Sequence, residues 1–245
     1  MIWPLKNWAE QARTAGSTPS GVEAAPAATL VVLRDGEHGL ETLLLKRSSK
    51  LAFHGGAWVF PGGRIDDGDW LEGDDLPRAA ARAAVRETTE EAGIEVDVDS
   101  LVHFSNWTTP EISPKRFATW FFAAPAHAEI AEAVADGVES DAVRWFRPAD
   151  ALAARLAGEI ELAPPQYVTL RWLSDYATVD AALAGIAAET PTDFTPRFHF
   201  IEGGGAICIY VGDVAWDDLE LVEEPGPRHR LVMPPKSEWV YERSE

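Results

Sequence analysis

Three glutamates, Glu87, Glu90 and Glu91, are spaced so that an α-helix would bring their carboxylates onto one face. At roughly 100° per residue, they lie at about 0°, 300° and 40° around the helix axis. Like charges at these spacings cost a helix about 0.2–0.5 kcal/mol per pair unless a cation lies among them. Carboxylate oxygens are the hard ligands that Mg²⁺ and Mn²⁺ prefer, so the spacing indicates a site for one of these ions.

The helix that carries these glutamates is predicted to run from about residue 77 to residue 92. Pro77 suits the first turn of a helix, and Gly93 suits the left-handed residue that often ends one. A second face of this helix consists of small residues and is expected to pack closely on a sheet. Its members are Ala81, Val85, Thr88 and Ala92.

The stretch from Gly63 to Ile94 resembles the Nudix hydrolase signature, Gly-x5-Glu-x7-Arg-Glu-U-x-Glu-Glu-x-Gly-U, in which U is apolar. Six positions agree: Arg86, Glu87, Glu90, Glu91, Gly93 and Ile94. The chain departs from the signature at Asp69, which replaces the first glutamate, and at Thr88, which replaces an aliphatic residue. Residues 70–78 are an insertion before the helix. The right half of the signature is therefore specific, and the left half is lengthened by the insertion.

The resemblance implies an α/β/α sandwich with a mixed central sheet, and hydrolysis of a diphosphate linkage with Mg²⁺ or Mn²⁺. Glu87, Glu90 and Glu91 would hold the metal and one of them would accept a proton, while Arg86 would position a carboxylate. Glu139 begins a segment that resembles a Nudix strand and helix, where a leading glutamate adds a metal ligand. An exposed glutamate at the start of a strand is the alternative at this position.

The segment from Leu43 to Gly63 resembles a motif that precedes the signature in coenzyme A diphosphatases. Nine positions agree, namely Leu43, Leu44, Arg47, Ser48, Gly56, Phe60, Pro61, Gly62 and Gly63. Ala52 stands where the motif has a second arginine, which could grip a phosphate with two hydrogen bonds. The resemblance implies hydrolysis of coenzyme A or acyl-coenzyme A.

A diphosphate substrate needs cations and close backbone approach, and its organic part needs an apolar or aromatic surface. The predicted substrate-binding residues are Arg47, Trp58, Gly62, Gly63, Lys115 and Arg116. Trp58 and Trp107 could equally stack on the adenine of ADP-ribose or of a dinucleotide such as NADH, so this second substrate class stays open. A Nudix fold that binds nucleotides without turnover is the alternative of another class.

The net charge of −19, from 40 acidic and 21 basic residues, argues against nucleic acid as a partner. The expected partner is a small nucleoside diphosphate derivative. The single cysteine, Cys208, excludes an intramolecular disulfide. No apolar run reaches the length of about 18 residues that would cross a membrane, and the N-terminus lacks a signal-peptide pattern. A cytoplasmic protein is therefore expected.

Composition divides the 245 residues into three parts. Residues 1–26 read as an arm and linker, 27–160 as the hydrolase core, and 161–245 as an extension packed on the core. The extension is predicted to contain two helices followed by short strands. These strands would form a further sheet on the same body or at the contact of a homodimer.

Overall fold

The computed structural model describes residues 20–48, 56–126, 137, 140–235 and 237–244. Its strands are β1 (Ala25–Gly36), β2 (Gly39–Arg47), β3 (Trp58–Val59), β4 (Gly62–Arg64), β5 (Val102–Thr108), β6 (Phe117–Pro125), β7 (Ser140–Phe146), β8 (Thr192–Phe194), β9 (Arg197–Phe200), β10 (Ala206–Ile209), β11 (His229–Met233) and β12 (Val240–Arg243). Its α-helices are α1 (Leu76–Ala92), α2 (Pro148–Leu156), α3 (Pro164–Leu173) and α4 (Val179–Ala188). Within these ranges no helix combines the length and hydropathy that a membrane crossing needs.

The main sheet has eight strands and is mixed, as predicted. Its central order is β3-β2-β1-β6-β5-β8, with β4 paired to β1 and β7 paired to β2. The pairs β1–β6 and β5–β8 are parallel, and the other pairs are antiparallel. Because β1 pairs with β2, β4 and β6, it lies at the centre of the sheet.

Successive residues of β1 enter two different hydrophobic cores, because side chains alternate between the faces of a strand. Leu30 and Val32 pack with the alanines of α1. Val31 and Leu33 pack with buried residues of α2, α3 and α4. The predicted α/β/α sandwich, with the glutamate-bearing helix on one side and the later helices on the other, is therefore confirmed.

Helix α1 begins and ends within one residue of the predicted limits. The side chain of Asp75 accepts a hydrogen bond of 3.2 Å from the Arg78 N–H and so caps the first turn. Gly93 ends the helix in the left-handed conformation, with φ of 67°. Asp75 belongs to the inserted segment, so the insertion supplies the helix cap.

The packing face of α1 differs in part from the predicted one. Thr88 and Ala92 are buried, whereas Ala81 and Val85 are only half-buried. Four further alanines complete the buried face: Ala79, Ala80, Ala83 and Ala84. The buried stripe is rotated relative to the prediction because these alanines, more than Ala81 and Val85, pack on the main sheet. Their small side chains let the helix lie close to the sheet.

The C-terminal part of the chain adds one strand to the main sheet and forms a second sheet. Strand β8 extends the main sheet by parallel pairing with β5. The remaining strands form a four-stranded antiparallel sheet with the order β12-β11-β10-β9. Residues of β10 and β11 belong to the same hydrophobic core as α3 and α4.

A buried ion pair links β11 of this second sheet to the loop that connects β10 with β11. Arg230 donates from Nε and Nη2 to the two carboxylate oxygens of Asp213, at 2.7 and 2.5 Å. Asp213 also accepts from the N–H groups of Ala215 and His229, both at 2.9 Å. Burial by itself would raise the pKa of Asp213, but these hydrogen bonds hold it below its usual value.

Asp213→Asn is expected to lower the free energy of unfolding by about 3–5 kcal/mol, because it leaves the buried Arg230 without its counter-charge. The contribution of Asp213 is present above the unfolded pKa of 3.8 and is lost as the pH falls through the lower folded value. Denaturant unfolding at pH 7 and at decreasing pH below 4 measures both effects. The exposed pair of Arg147 and Asp150 provides the control, since solvent screens it and Asp150→Asn should have a much smaller effect. Equal effects of the two variants would contradict this account.

Candidate functional site

The polar face of α1 lies against β4, which carries the predicted glycines. Strand β4 is held by antiparallel pairing with β1, where Gly62 is opposite Thr29 and Gly63 is opposite Ala28. The Gly62 N–H donates a hydrogen bond of 3.0 Å to Oε2 of Glu91. Glu91 is buried, so this contact orients its carboxylate where the helix meets the strand.

Both glycines are required by close approach. A Cβ on Gly62 would overlap the carbonyl oxygen of Ala28, and a Cβ on Gly63 would overlap the carboxylate of Glu87. A side chain at either position would therefore displace the strand or the carboxylate. The backbone of β4 and the carboxylates of α1 thus form one compact group.

Arg86 lies among the acidic side chains of this group. Its Nη1 donates to Oε1 of Glu87 at 2.9 Å and to Oε2 of Glu90 at 3.1 Å. Its Nε and Nη2 donate to the two oxygens of Asp69, each at 3.0 Å. Nη2 also donates to the carbonyl oxygen of Arg64. One guanidinium therefore offsets the repulsion among three carboxylates.

The charges of this network stabilise each other. Hydrogen bonds that Arg86 donates to Asp69 and Glu87 raise the pKa of Arg86 above its usual value, against the opposing effect of burial. Burial would raise the pKa of Asp69, but hydrogen bonds from Arg86 and from the Asp66 N–H lower it overall. Asp69 is thus ionised and grips Arg86 with both oxygens, which fixes the orientation of the guanidinium.

The three glutamates of α1 have different surroundings. The side chain of Glu90 is 59% exposed and that of Glu87 is 17% exposed, whereas Glu91 is buried. In the described part of the chain, no three His, Cys, Asp or Glu side chains are grouped around one point as metal ligands. Glu87 and Glu90 both turn to Arg86, and Glu91 turns to Gly62.

The donor set nevertheless fits a hard divalent ion. The carboxylates of Glu91 and Glu87 lie against the neighbouring residues Gly62 and Gly63, because the bare backbone of Gly63 lets the Glu87 carboxylate approach closely. Glu90 reaches the same group through Arg86 and is exposed enough to turn toward an ion. Oxygen ligands of this kind suit Mg²⁺ or Mn²⁺. Glu139, the fourth predicted ligand, lies outside the described residues.

A cavity of about 560 Å³ adjoins this acidic group. Charged residues line one part of it: Arg47, Arg64, Asp66, Glu87 and Lys115. Residues of α3 and the second sheet line another part, and these are mostly apolar: Ala163, Pro164, Pro165, Gln166, Pro196, Phe198 and Cys208. The cavity thus joins a charged region beside Glu87 to a wall that the C-terminal part of the chain provides.

The predicted substrate-binding residues fall into two groups. Arg47 and Lys115 line the cavity, as Gly62 and Gly63 do, and Nε of Arg47 is buried without a hydrogen-bond partner. Trp58 instead packs edge-on against Phe146, with ring centroids 5.1 Å apart, and is not among the lining residues.

Arg116 is also placed away from the cavity lining. Its Nε donates to the carbonyl oxygen of Thr109 at 3.1 Å, and its Nη1 donates to that of Val22 at 2.9 Å. Arg116 therefore joins the loop before β6 to the segment before β1. Lys115 and Arg116 are adjacent in the sequence but have different surroundings, because the path of the backbone directs only Lys115 toward the cavity.

Sequence reasoning missed several polar residues of the cavity, among them Arg64 and Gln166. Arg64 directly follows Gly63, so its position next to the glycines was a usable signal. Gln166 had no comparable signal, since it lies more than 70 residues after the signature helix in the sequence. The role of Asp69 as the main partner of Arg86 was also not assigned, although its departure from the signature marked the position.

Comparisons with known proteins identify the family. Residues 24–173 match the NUDIX domain. The chain is 28% identical to putative nudix hydrolase 7 of Caenorhabditis elegans, over 54% of this chain and 55% of that protein. It is 25% identical to acyl-coenzyme A diphosphatase NUDT19 of Xenopus laevis, over 57% of this chain and 61% of that protein. The matches therefore span less than two thirds of these curated relatives.

Among solved structures, a NUDIX hydrolase from Alicyclobacillus acidocaldarius is similar to this chain with a TM-score of 0.62. The two are 25% identical, and the match covers 69% of this chain and all of the other. The shared fold agrees with the layers and the mixed sheet described above.

Gly63→Ala is expected to displace the Glu87 carboxylate and to weaken Mn²⁺ binding by about tenfold, which corresponds to about 1.4 kcal/mol. Calorimetric titration with Mn²⁺ measures this change. Gly68→Ala is the matched control, because nothing lies within 4 Å of the added methyl group. Mn²⁺ affinity that is the same in both variants and the wild type would show that Glu87 does not hold the ion.

Proposed function

The chain belongs to the Nudix family, and from this premise we propose that it is a hydrolase that cleaves a diphosphate linkage with a bound divalent metal ion. One observation carries the proposal: Glu87 lines the same cavity as the cations Arg47, Arg64 and Lys115. A diphosphate has several negative oxygens, and a chain with a net charge of −19 can meet them only with local cations and metal. This cavity offers both.

The metal would be held by Glu87, Glu90 and Glu91, with Glu139 as a further candidate. The ion, Mg²⁺ or Mn²⁺, supplies neutralisation of the diphosphate and acidification of a bound water. One glutamate would accept a proton from the attacking water as its oxygen bonds to phosphorus, and the bond from that phosphorus to the bridging oxygen would break, so that the other phosphate leaves. Glu90 is the most exposed of the three and therefore has the most freedom for this task.

The other residues of the site bind and orient. Arg86 fixes Glu87 and Glu90 through hydrogen bonds, so it acts as a positioning residue. Gly62 and Gly63 allow close approach of the backbone. Arg47 and Lys115 bind phosphate oxygens, and the unpartnered Nε of Arg47 provides a donor that is already desolvated.

Coenzyme A or acyl-coenzyme A is the proposed substrate. The similarity to the acyl-coenzyme A diphosphatase of Xenopus laevis supports it, as does the apolar wall formed by α3 and β9–β10. A pantetheine or acyl chain would bury apolar surface on this wall. The ribose hydroxyls of ADP-ribose would lose water there and find few partners, which costs binding energy.

The tryptophans that could have favoured ADP-ribose or NADH are otherwise engaged. Trp107 stacks on Phe194 with ring centroids 3.9 Å apart and is buried. Trp58 packs on Phe146. Trp107 does line the cavity, but Phe194 covers one face of its ring, and Trp58 is not a lining residue, so stacking of adenine on Trp107 stays the alternative.

We also propose a division of labour along the chain. Residues 27–160 form the hydrolase core, and residues 161–245 form an extension that completes the cavity. The lining residues Pro165, Phe198 and Cys208 come from this extension and support the proposal. The extension would then act in substrate choice, while the core carries the chemistry.

Glu91→Gln is expected to lower kcat with Mg²⁺ by at least about a hundredfold, because a metal ligand loses its charge. The matched control is Glu95→Gln, an exposed residue just beyond α1, which should keep wild-type kcat. Phosphate-ester products from a panel of diphosphates, with and without Mg²⁺, provide the measurement. A wild-type protein that binds these compounds but cleaves none with either metal would favour a non-catalytic binding module.

The substrate proposal predicts that kcat/KM for coenzyme A exceeds that for ADP-ribose and NADH by at least about tenfold, or about 1.4 kcal/mol. The comparison is made with Mg²⁺ and with Mn²⁺ under the same conditions. Phe198→Ala, which shortens the apolar wall, should lower kcat/KM for acyl-coenzyme A more than for ADP-ribose. A preference for ADP-ribose or NADH would reject coenzyme A and leave the hydrolase proposal intact.

A further inference from the structure

Gln166 presents a buried polar atom to the cavity. Gln166 lines the cavity and is only 8% exposed, and among the described residues its buried Oε1 has no hydrogen-bond partner. Buried amide oxygens nearly always accept a hydrogen bond, because otherwise they lose the bonds that water would supply. Among the described side chains that line the cavity, only Arg47 likewise carries a buried atom without a partner. These two atoms, a donor and an acceptor, belong to residues that line the cavity, so a ligand there could supply the missing partners.

The position of Gln166 is fixed by the start of α3. Pro164 and Pro165 form the first two helical positions, and the Tyr167 N–H donates to the carbonyl oxygen of Ala163 at 3.0 Å. Proline has a restricted backbone that suits this turn. The helix behind Gln166 is anchored by buried Tyr167 and Leu170. A well-anchored helix thus fixes the backbone of Gln166 at the cavity wall.

The surroundings of Gln166 define what it can bind. The neighbouring wall is apolar, with Pro165, Phe198 and Cys208, and Phe198 is the direct strand partner of Cys208. A carbonyl-type oxygen in such a wall needs one donor from the ligand, and it has no charge to offer a cation. A neutral N–H group on a mainly apolar moiety matches this requirement. Such a group is found in the secondary amides of a pantetheine arm and in the amino group of adenine.

We propose that Gln166 is a specificity-determining residue that accepts a hydrogen bond from an N–H group in the organic part of the substrate. This inference rests on the proposed hydrolysis of a diphosphate and names a contact away from the reacting phosphorus. Because the contact is the same in the ground state and the transition state, it acts on KM more than on kcat. Substrates without a suitably placed N–H group leave Oε1 unpaired and are rejected.

Gln166→Met tests the proposal, since methionine has a similar size and lacks the amide. With coenzyme A as substrate, kcat/KM is expected to fall about tenfold, mainly through a higher KM. The two products of coenzyme A hydrolysis then locate the contact as inhibitors. If only 4′-phosphopantetheine inhibits the Gln166→Met variant more weakly than the wild type, the contact is with an amide of the pantetheine arm. If only adenosine 3′,5′-bisphosphate does so, the contact is with adenine. Unchanged inhibition by both products overturns the proposal.

Thr169→Val provides the matched control. Thr169 is buried on the same helix, one turn further along, and does not line the cavity. Its substitution should keep kcat/KM within about twofold of the wild-type value, and circular dichroism melting checks the folding of both variants. An equal loss of kcat/KM in both variants would assign the effect to disturbance of α3 and overturn the role of Gln166.

Calorimetric titration with the same two products separates this inference from the proposed function. Binding requires no turnover, so the affinity difference between wild type and Gln166→Met can be measured in any case. A protein that binds a product through Gln166 but cleaves no diphosphate would refute the proposed activity and support the contact. If the protein cleaves coenzyme A and Gln166→Met changes neither kcat/KM nor product affinity, the proposed activity is supported and the contact of Gln166 is refuted.

Discussion

The ion pairs of Arg86 are the interaction on which the acidic site depends. One guanidinium contacts Asp69, Glu87 and Glu90, and without it these carboxylates would repel one another on one side of α1. Asp69 holds the guanidinium with two hydrogen bonds, so the remaining donors point to the glutamates in fixed directions. The site is therefore preorganised from outside the helix, by a residue just ahead of the inserted segment.

Close packing of α1 against the main sheet and against β4 places the acidic group beside the cavity. Buried alanines bring the helix close to the main sheet, and the bare backbone of Gly63 brings β4 close to Glu87. The opposite face of the sheet packs on α3 and the second sheet, which share one hydrophobic core. As a result, the acidic group from one layer and the apolar wall from the other line a single cavity.

The sequence by itself determined the local features of this protein. The i, i+3, i+4 spacing placed Glu87, Glu90 and Glu91 on one helical face, and Gly93 marked the helix end within one residue. The resemblance to the Nudix signature implied the layered fold, and Pro77 marked the start of the same helix within one residue. The shared face of the glutamates and the limits of the helix follow from short-range geometry, namely the helical period and the backbone freedom of glycine.

Only the tertiary structure decided which distant residues meet at the site. Lys115 faces the cavity while Arg116 binds backbone carbonyls, although both are adjacent cations in the sequence. Trp58 packs inward on Phe146, and Gln166 enters the cavity from a helix that the signature does not include. Such choices depend on how layers and loops pack in space, because the direction of a side chain is set by the backbone around it and its partners by the fold.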